Sequence, residues 1–280
     1  MLRLGGQRFT VKPSALPEMD ALFDELPNFT GVLEDVRKHL AQCIDSNDSV
    51  ELPPMLLLGD PGIGKTHFAR QLAQLLGTGY GFVPMSSLTA GWVLSGASSQ
   101  WKNAKPGKVF DTFLNGEYAN PVIVVDELDK ASSDGQYDPL GALYELLEIE
   151  TATRFVDEFV ELPIDASGAV WLATANEAAR IPEPLLNRLA VYEIEAPDSA
   201  GSARIAESIY GELRGAHDWG RQFPGTLSAP ALDKLASLPP REMRRAIQSA
   251  FGNAKVAGRS EICADDVVDS RNARKSRIGF

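Results

Sequence analysis

The segment Gly59-Asp60-Pro61-Gly62-Ile63-Gly64-Lys65-Thr66 constrains this 280-residue chain more than any other. It satisfies GxxxxGK[ST] at every fixed position, follows the apolar run MLLL and opens a helical pattern. The glycines let successive backbone amides wrap a phosphate chain, and the helix N-terminus that follows adds partial positive charge. Lys65 is placed to neutralise β and γ phosphates and the Thr66 hydroxyl to ligate Mg²⁺, with His67 next along the helix. A chain carrying this element is committed to a strand–loop–helix unit, and such units assemble around a parallel sheet.

The remaining pattern agrees with that commitment. Short apolar runs at 55–59, 82–85, 121–126, 169–174 and 190–195 alternate with helical spacing at 66–76, 108–114 and 139–149. Strands apolar on both faces need cover on both faces, so the spacing predicts a five-stranded parallel sheet flanked by helices. Residues 1–28 read as an irregular arm. Val32, Leu33, Val36, Leu40 and Ile44 then form one apolar helical face that ends in the polar stretch 46–49.

After Pro197 the strands stop. Segments 200–213, 229–237, 240–257 and 264–273 read as helices of a small all-helical domain, with Ser228 as the N-cap before Pro230. The predicted division is an arm at 1–28, an α/β domain at 29–198, a helical domain at 199–273 and a tail at 274–280.

Charge supports the same border. The formal net charge is −11, but residues 1–200 carry −15 and residues 201–280 carry +4. An acidic balance argues against a protein that coats nucleic-acid phosphates or an anionic membrane. Residues 61–120 nevertheless hold five bases against two acids, so the phosphate loop lies in a basic stretch. Cys43 and Cys263 stand 220 positions apart and the chain has three histidines, a poor basis for a zinc site. The expectation is reduced, buried thiols in a cytoplasmic protein. No signal-peptide core is visible, and no apolar run reaches the roughly 20 residues that span a bilayer.

A phosphate loop needs a carboxylate at the end of a buried strand, and Pro121-Val122-Ile123-Val124-Val125-Asp126-Glu127 supplies one. Asp126 is the candidate Mg²⁺ partner, and Glu127 the base that orients and deprotonates water.

The run VIVVDELDKASSDGQYDPLGALYELLE resembles the corresponding region of AAA+ ATPases, most closely the ATPase module of Lon protease. ATANEAARIPEPLLNRLAVYEIE continues the likeness, which covers roughly residues 30–275. The resemblance implies a P-loop NTPase of AAA+ type with a helical lid, ATP and Mg²⁺ as ligands, and a homo-oligomer, a hexameric ring, acting on a protein substrate. It implies that Asn176 is the sensor 1 residue and Arg188 the arginine finger that reaches a neighbouring subunit's ATP. Arg241 matches sensor 2, with Arg244 one turn further as the alternative; Pro239-Pro240 replace the usual glycine. Phe29-Thr30-Gly31-Val32 either contribute to an adenine pocket or staple the first helix.

The same likeness places Trp101 where Lon-like proteins present a pore-loop aromatic, with Lys102 beside it; tyrosine is the usual residue there. A large flat side chain grips many sequences by area alone. Trp92 reads as packing. Ile278-Gly279-Phe280 resembles a docking loop of Clp-type unfoldases, which implies a separate peptidase or adaptor; the alternative is a tail packed on its own lid. The expectation is a stand-alone ATPase that remodels, unfolds or threads protein through a ring and has no peptidase activity of its own. The rival is a nucleic-acid-handling loader or initiator, which the basic lid favours and the acidic whole opposes.

Overall fold

The computed structural model describes residues 6–44, 46–87, 92–131 and 138–268. The end of the helix expected over 264–273 and the tail with Ile278-Gly279-Phe280 therefore lie outside the described residues. The chain divides into two compact units. The first holds Gly31–Gly59 and Lys65–Ile194 together with the arm up to Pro17; the second holds Glu18–Thr30, Asp60–Gly64 and the chain from Glu195 onward.

The strands, in chain order, are β1 Met55–Leu58, β2 Tyr80–Pro84, β3 Val122–Asp126, β4 Phe155–Val156, β5 Pro163–Ile164, β6 Val170–Ala175 and β7 Ala190–Glu193. The helices are α1 Asp20–Glu25, α2 Thr30–Cys43, α3 Lys65–Leu76, α4 Trp92–Ser95, α5 Lys108–Asn115, α6 Gly141–Leu146, α7 Ile149–Ala152, α8 Glu183–Leu186, α9 Ser199–Ala216, α10 Ala229–Ala236 and α11 Pro240–Val256.

In the first unit five strands pair in parallel in the order β2-β3-β6-β1-β7, while β4 and β5 form a small antiparallel ribbon. All of β6 and the first four residues of β3 are buried, as expected of strands covered on both faces. The edge strands alternate instead, because a sheet margin has only one face to bury. The order places the carboxyl ends of β3, β6 and β1 side by side, where open α/β sheets carry their ligands.

Three local readings change. The helix expected at 139–149 is two short helices, because Glu148 adopts extended backbone (φ −107°, ψ 123°) between them. Helix α2 stops at Cys43, which takes the last buried position assigned to Ile44. Within the arm, residues 20–25 are helical, and residues 8–11 are pinned to 114–120. Ala119 N–H donates to Phe9 O at 2.9 Å, and Asn120 exchanges bonds of 2.9 and 2.7 Å with the Val11 backbone.

The second unit is helical, as the sequence predicts. Asp198 caps α9 through a 2.6 Å bond from Gly201 N–H. Tyr210 and Phe251 stack at 5.2 Å in its core, with Phe223 edge-on to Phe251. Ser228 precedes α10 but its hydroxyl donates to Ile262 O at 3.0 Å rather than capping the helix. The helix expected over 264–273 is absent from its described part: Ala264–Asp266 make one 3₁₀ turn. Asn253 Nδ2 donates to the Asp266 carbonyl at 2.9 Å, and Val267 is buried in the core of this unit, so the chain here is held by tertiary contacts. Cys43 is buried as expected; Cys263 is exposed, because it precedes this turn at the surface.

Candidate functional site

The loop after β1 turns sharply at two residues. Gly62 (φ 86°) and Gly64 (φ 109°) occupy backbone regions open to glycine and strained for other residues. Gly59 N–H donates to Ala175 O at 3.1 Å, which ties the loop entry to the end of β6. Helix α3 then begins at Lys65, whose side chain is 93% buried by the fold, with 7% exposure. Its ammonium donates to Gly59 O and, at 2.9 Å, to Asn176 Oδ1.

One step along, the Thr66 hydroxyl donates to Asp126 Oδ1 at 3.0 Å. The same oxygen accepts from the Thr174 hydroxyl at 2.8 Å, and Thr174 Oγ1 accepts from Glu127 N–H at 3.0 Å. Thr174 thus fixes both members of the acidic pair from the adjacent strand. Sequence reasoning missed it; the available signal was a hydroxyl residue, 2% exposed, inside an otherwise apolar strand. Glu127 has left-handed backbone (φ 57°, ψ 49°), an unusual conformation for glutamate that redirects the chain where β3 ends.

Oxygen donors suit a hard cation, and magnesium commonly takes one or two protein ligands and keeps its waters. The Thr66 hydroxyl and Asp126 carboxylate, already in contact, fit that requirement; among the described residues no cluster of three or more His, Cys, Asp or Glu forms a larger metal cage.

The second unit contains Asp60–Gly64 of the loop. There Arg241 lies against Gly62: a Cβ on Gly62 would stand 3.1 Å from Arg241 Cβ and 3.3 Å from its Cδ. Arg244, one turn on, is bound instead to the Glu212 carboxylate on α9 through both terminal nitrogens. Asn28, not singled out by the sequence, donates to Ile63 O at 3.2 Å and to Glu195 O at 3.1 Å. Phe29 is fully buried, and its ring lies 3.5 Å from where a Gly64 Cβ would be, so it supports the loop from beneath. Thr30 is exposed and bonds back to Pro27 O. Asp60 and Pro61 sit at the exposed tip and Ile63 is buried. His67 lies 3.5 Å from Gln71 on the outer side of α3.

Arg188 follows α8 and does not join the Lys65 cluster within the protomer. Its Nη1 donates to Pro184 O at 2.6 Å, and its guanidinium lies 5.8 Å from the Tyr144 ring centre. Its Nε stands 2.8 Å from Glu148 Oε1, an ion pair whose N–H direction makes no hydrogen bond.

Trp101 is also separate from the cluster. It is 43% exposed and meets Trp92 edge-on at 5.1 Å, on a loop that also exposes Lys102. Asp157, with no exposure, holds that loop: its Oδ2 accepts from Gly107 N–H at 2.7 Å, and its Oδ1 from Phe159 and Val160 N–H at 3.0 and 3.1 Å. Gly96 leaves the carboxylate room, since a Cβ there would stand 2.4 Å from Asp157 Oδ1. Ser99 adds a 3.1 Å bond to Glu161.

A parallel sheet in this order, with a glycine loop after β1 and Lys65-Thr66 heading the next helix, defines a P-loop nucleotide-binding protein. Comparison with known proteins names the family. Residues 55–195 match the model of the ATPase family associated with various cellular activities (AAA), and the chain belongs to that family. It is a Lon-like AAA module: a Lon protease of Finegoldia magna is 30% identical over 177 residues, 62% of this chain and 23% of that protein. The chain thus spans about a quarter of that relative's length. Among solved structures, the Saccharomyces cerevisiae Hsp104:casein complex superposes with a TM-score of 0.69 at 17% identity, covering 87% of this chain and 49% of that one. The Thermotoga maritima RuvB Holliday junction branch migration motor gives 0.58 at 16% identity, covering 91% and 71%. Both have the same fold. No helix among the described residues is long and apolar enough to cross a membrane.

Proposed function

We propose that this AAA module hydrolyses ATP between the subunits of a hexameric ring and uses the stroke to remodel or thread a polypeptide. The observation that carries the reading is the bonded chain Lys65–Asn176 and Thr66–Asp126–Thr174–Glu127 at the carboxyl ends of adjacent strands. Lys65 and the loop amides bind the phosphates. Thr66 and Asp126 would hold Mg²⁺, which would supply charge neutralisation to the phosphates. Glu127 takes the proton of the attacking water, and Asn176 orients that water from the end of β6. Arg241, against Gly62, serves as sensor 2; Arg244 is committed to Glu212. Arg188 acts as a finger on the neighbour's nucleotide, its planar permanent charge suited to the phosphoryl oxygens.

The polypeptide reading rests on the exposed Trp101 and on the Lon proteases and the casein-bound Hsp104 among its likenesses. The test uses Glu127→Gln, which should bind ATP, lose hydrolysis by at least about 100-fold and retain an unfolded protein such as casein. Wild-type hydrolysis should rise with casein, and the casein should remain uncut. Stimulation by DNA in place of casein would establish the nucleic-acid loader instead. Retention of a separate peptidase or adaptor by the trapped complex would identify the partner that the terminal Ile278-Gly279-Phe280 suggests.

A further inference from the structure

We infer that Glu148 and Tyr144 are positioning residues for Arg188, holding the guanidinium ready for use by the neighbouring subunit; this rests on the finger reading above. Three elements converge on that one group. Pro184 O of α8 accepts from Nη1, Glu148 stands 2.8 Å from Nε, and the Tyr144 ring of α6 lies beneath the guanidinium at 5.8 Å. Nε is enclosed by these contacts, whereas the side chain as a whole keeps 29% exposure. Nη2 has no hydrogen-bond partner among the described residues, so one fork of the guanidinium remains available.

The position of Glu148 is itself built. It occupies the extended break between α6 and α7, and its carbonyl accepts from Ala152 N–H at 2.9 Å and from the Thr151 hydroxyl at 3.2 Å. A continuous helix over 139–149 would carry it round to another face. Tyr144 packs on the buried core of the unit, which gives the ring a fixed seat.

Stability does not account for the pairing. Glu148 is half-exposed at 49%, and ion pairs of that kind contribute little to folding. Orientation does. A free arginine has many rotamers, and a group that must meet a phosphoryl oxygen across a subunit boundary gains from being ordered in advance. The ion pair and the ring restrict the guanidinium plane while leaving one edge open.

The experiment compares ATPase rates of homogeneous and mixed assemblies. Glu148→Ala should lower kcat about tenfold with KM for ATP changed less than about twofold, and Glu148→Gln, which keeps an acceptor oxygen, should fall in between. Tyr144→Leu should lower kcat about threefold. The decisive reading is complementation. Glu127→Gln protomers cannot hydrolyse but present intact fingers, so equimolar mixing with Arg188→Ala should restore activity absent from either parent. Mixing Glu148→Ala with Glu127→Gln should likewise raise the rate per total protein about two- to threefold above Glu148→Ala alone, although half the protomers are then dead.

If Glu148 serves its own subunit's site or merely its fold, that mixture falls to about half the Glu148→Ala rate while the Arg188→Ala mixture still recovers, and the inference is overturned. A Glu148→Ala rate at or above wild type overturns it as well, the latter by making Glu148 a sheath over the finger. Failure of the Arg188→Ala mixture to recover would instead remove the finger reading on which it depends.

Discussion

At the residue scale, the site is set by a few atoms whose geometry leaves little choice. Thr174 is the clearest case, since one hydroxyl serves Asp126 and the Glu127 amide together. Thr174→Val keeps the volume and removes both bonds. Hydrolysis should fall about tenfold with ATP affinity nearly unchanged, and unfolding free energy should fall by about 1–3 kcal/mol for the unpaired groups. Steady-state kinetics and denaturant melts measure the two effects. Gly62 is constrained twice, by φ 86° and by Arg241 at 3.1 Å from its would-be Cβ. Gly62→Ala should therefore weaken ATP binding about tenfold, because an L-residue resists this backbone by about 1–2 kcal/mol. Unchanged affinity by fluorescence titration would show that Arg241 yields without consequence.

At the element scale, two buried carboxylates organise segments that lie outside the long helices and the main sheet. Asp157 accepts from three backbone amides and spans the stems of the Trp101 loop. Asp157→Ala should cost about 3 kcal/mol and expose residues 96–107 to protease before the rest of the unit. Asp266 plays a comparable part in the helical unit. Its carboxylate is gripped by Arg259 at 2.6 and 2.7 Å, which holds its pKa below the ordinary carboxylate range despite the opposing effect of burial. A lowered folded pKa contributes stability above the unfolded value near 3.9, and that contribution is lost as pH falls through the folded value. Thermal melts should show the helical unit losing stability as pH falls below about 4, and Arg259→Ala should flatten this dependence. An equally steep acid profile in Arg259→Ala would assign the loss to other carboxylates.

At the scale of the whole molecule, Arg188 stands apart from the cluster it is proposed to serve, so activity should require assembly. Specific ATPase activity should rise with protein concentration in step with oligomer mass, and Arg188→Ala should bind ATP normally yet lose about 1,000-fold in turnover. Light scattering beside kinetics tests both. A fully active monomer would place the catalytic cation elsewhere.

Much of this was legible in the sequence wherever the deciding residues are contiguous. The glycine loop, the Asp126-Glu127 pair and the apolar central strands are local statements, since φ freedom, strand burial and helix heading all act within a few residues. Side-chain partners at long range were not. That Arg241 rather than Arg244 lies by the loop depended on Glu212, 32 residues away, claiming Arg244. That Thr174, Asp157 and Glu148 matter depended on a strand pairing, a loop stem and a helix break which bring them to residues 48, 50 and 40 positions away along the chain. The sequence by itself determined the chemistry offered to a nucleotide, because that chemistry is written in one loop and one strand end. Only the tertiary structure decided which side chains hold those groups in place, because such contacts follow from packing, to which sequence separation is no guide.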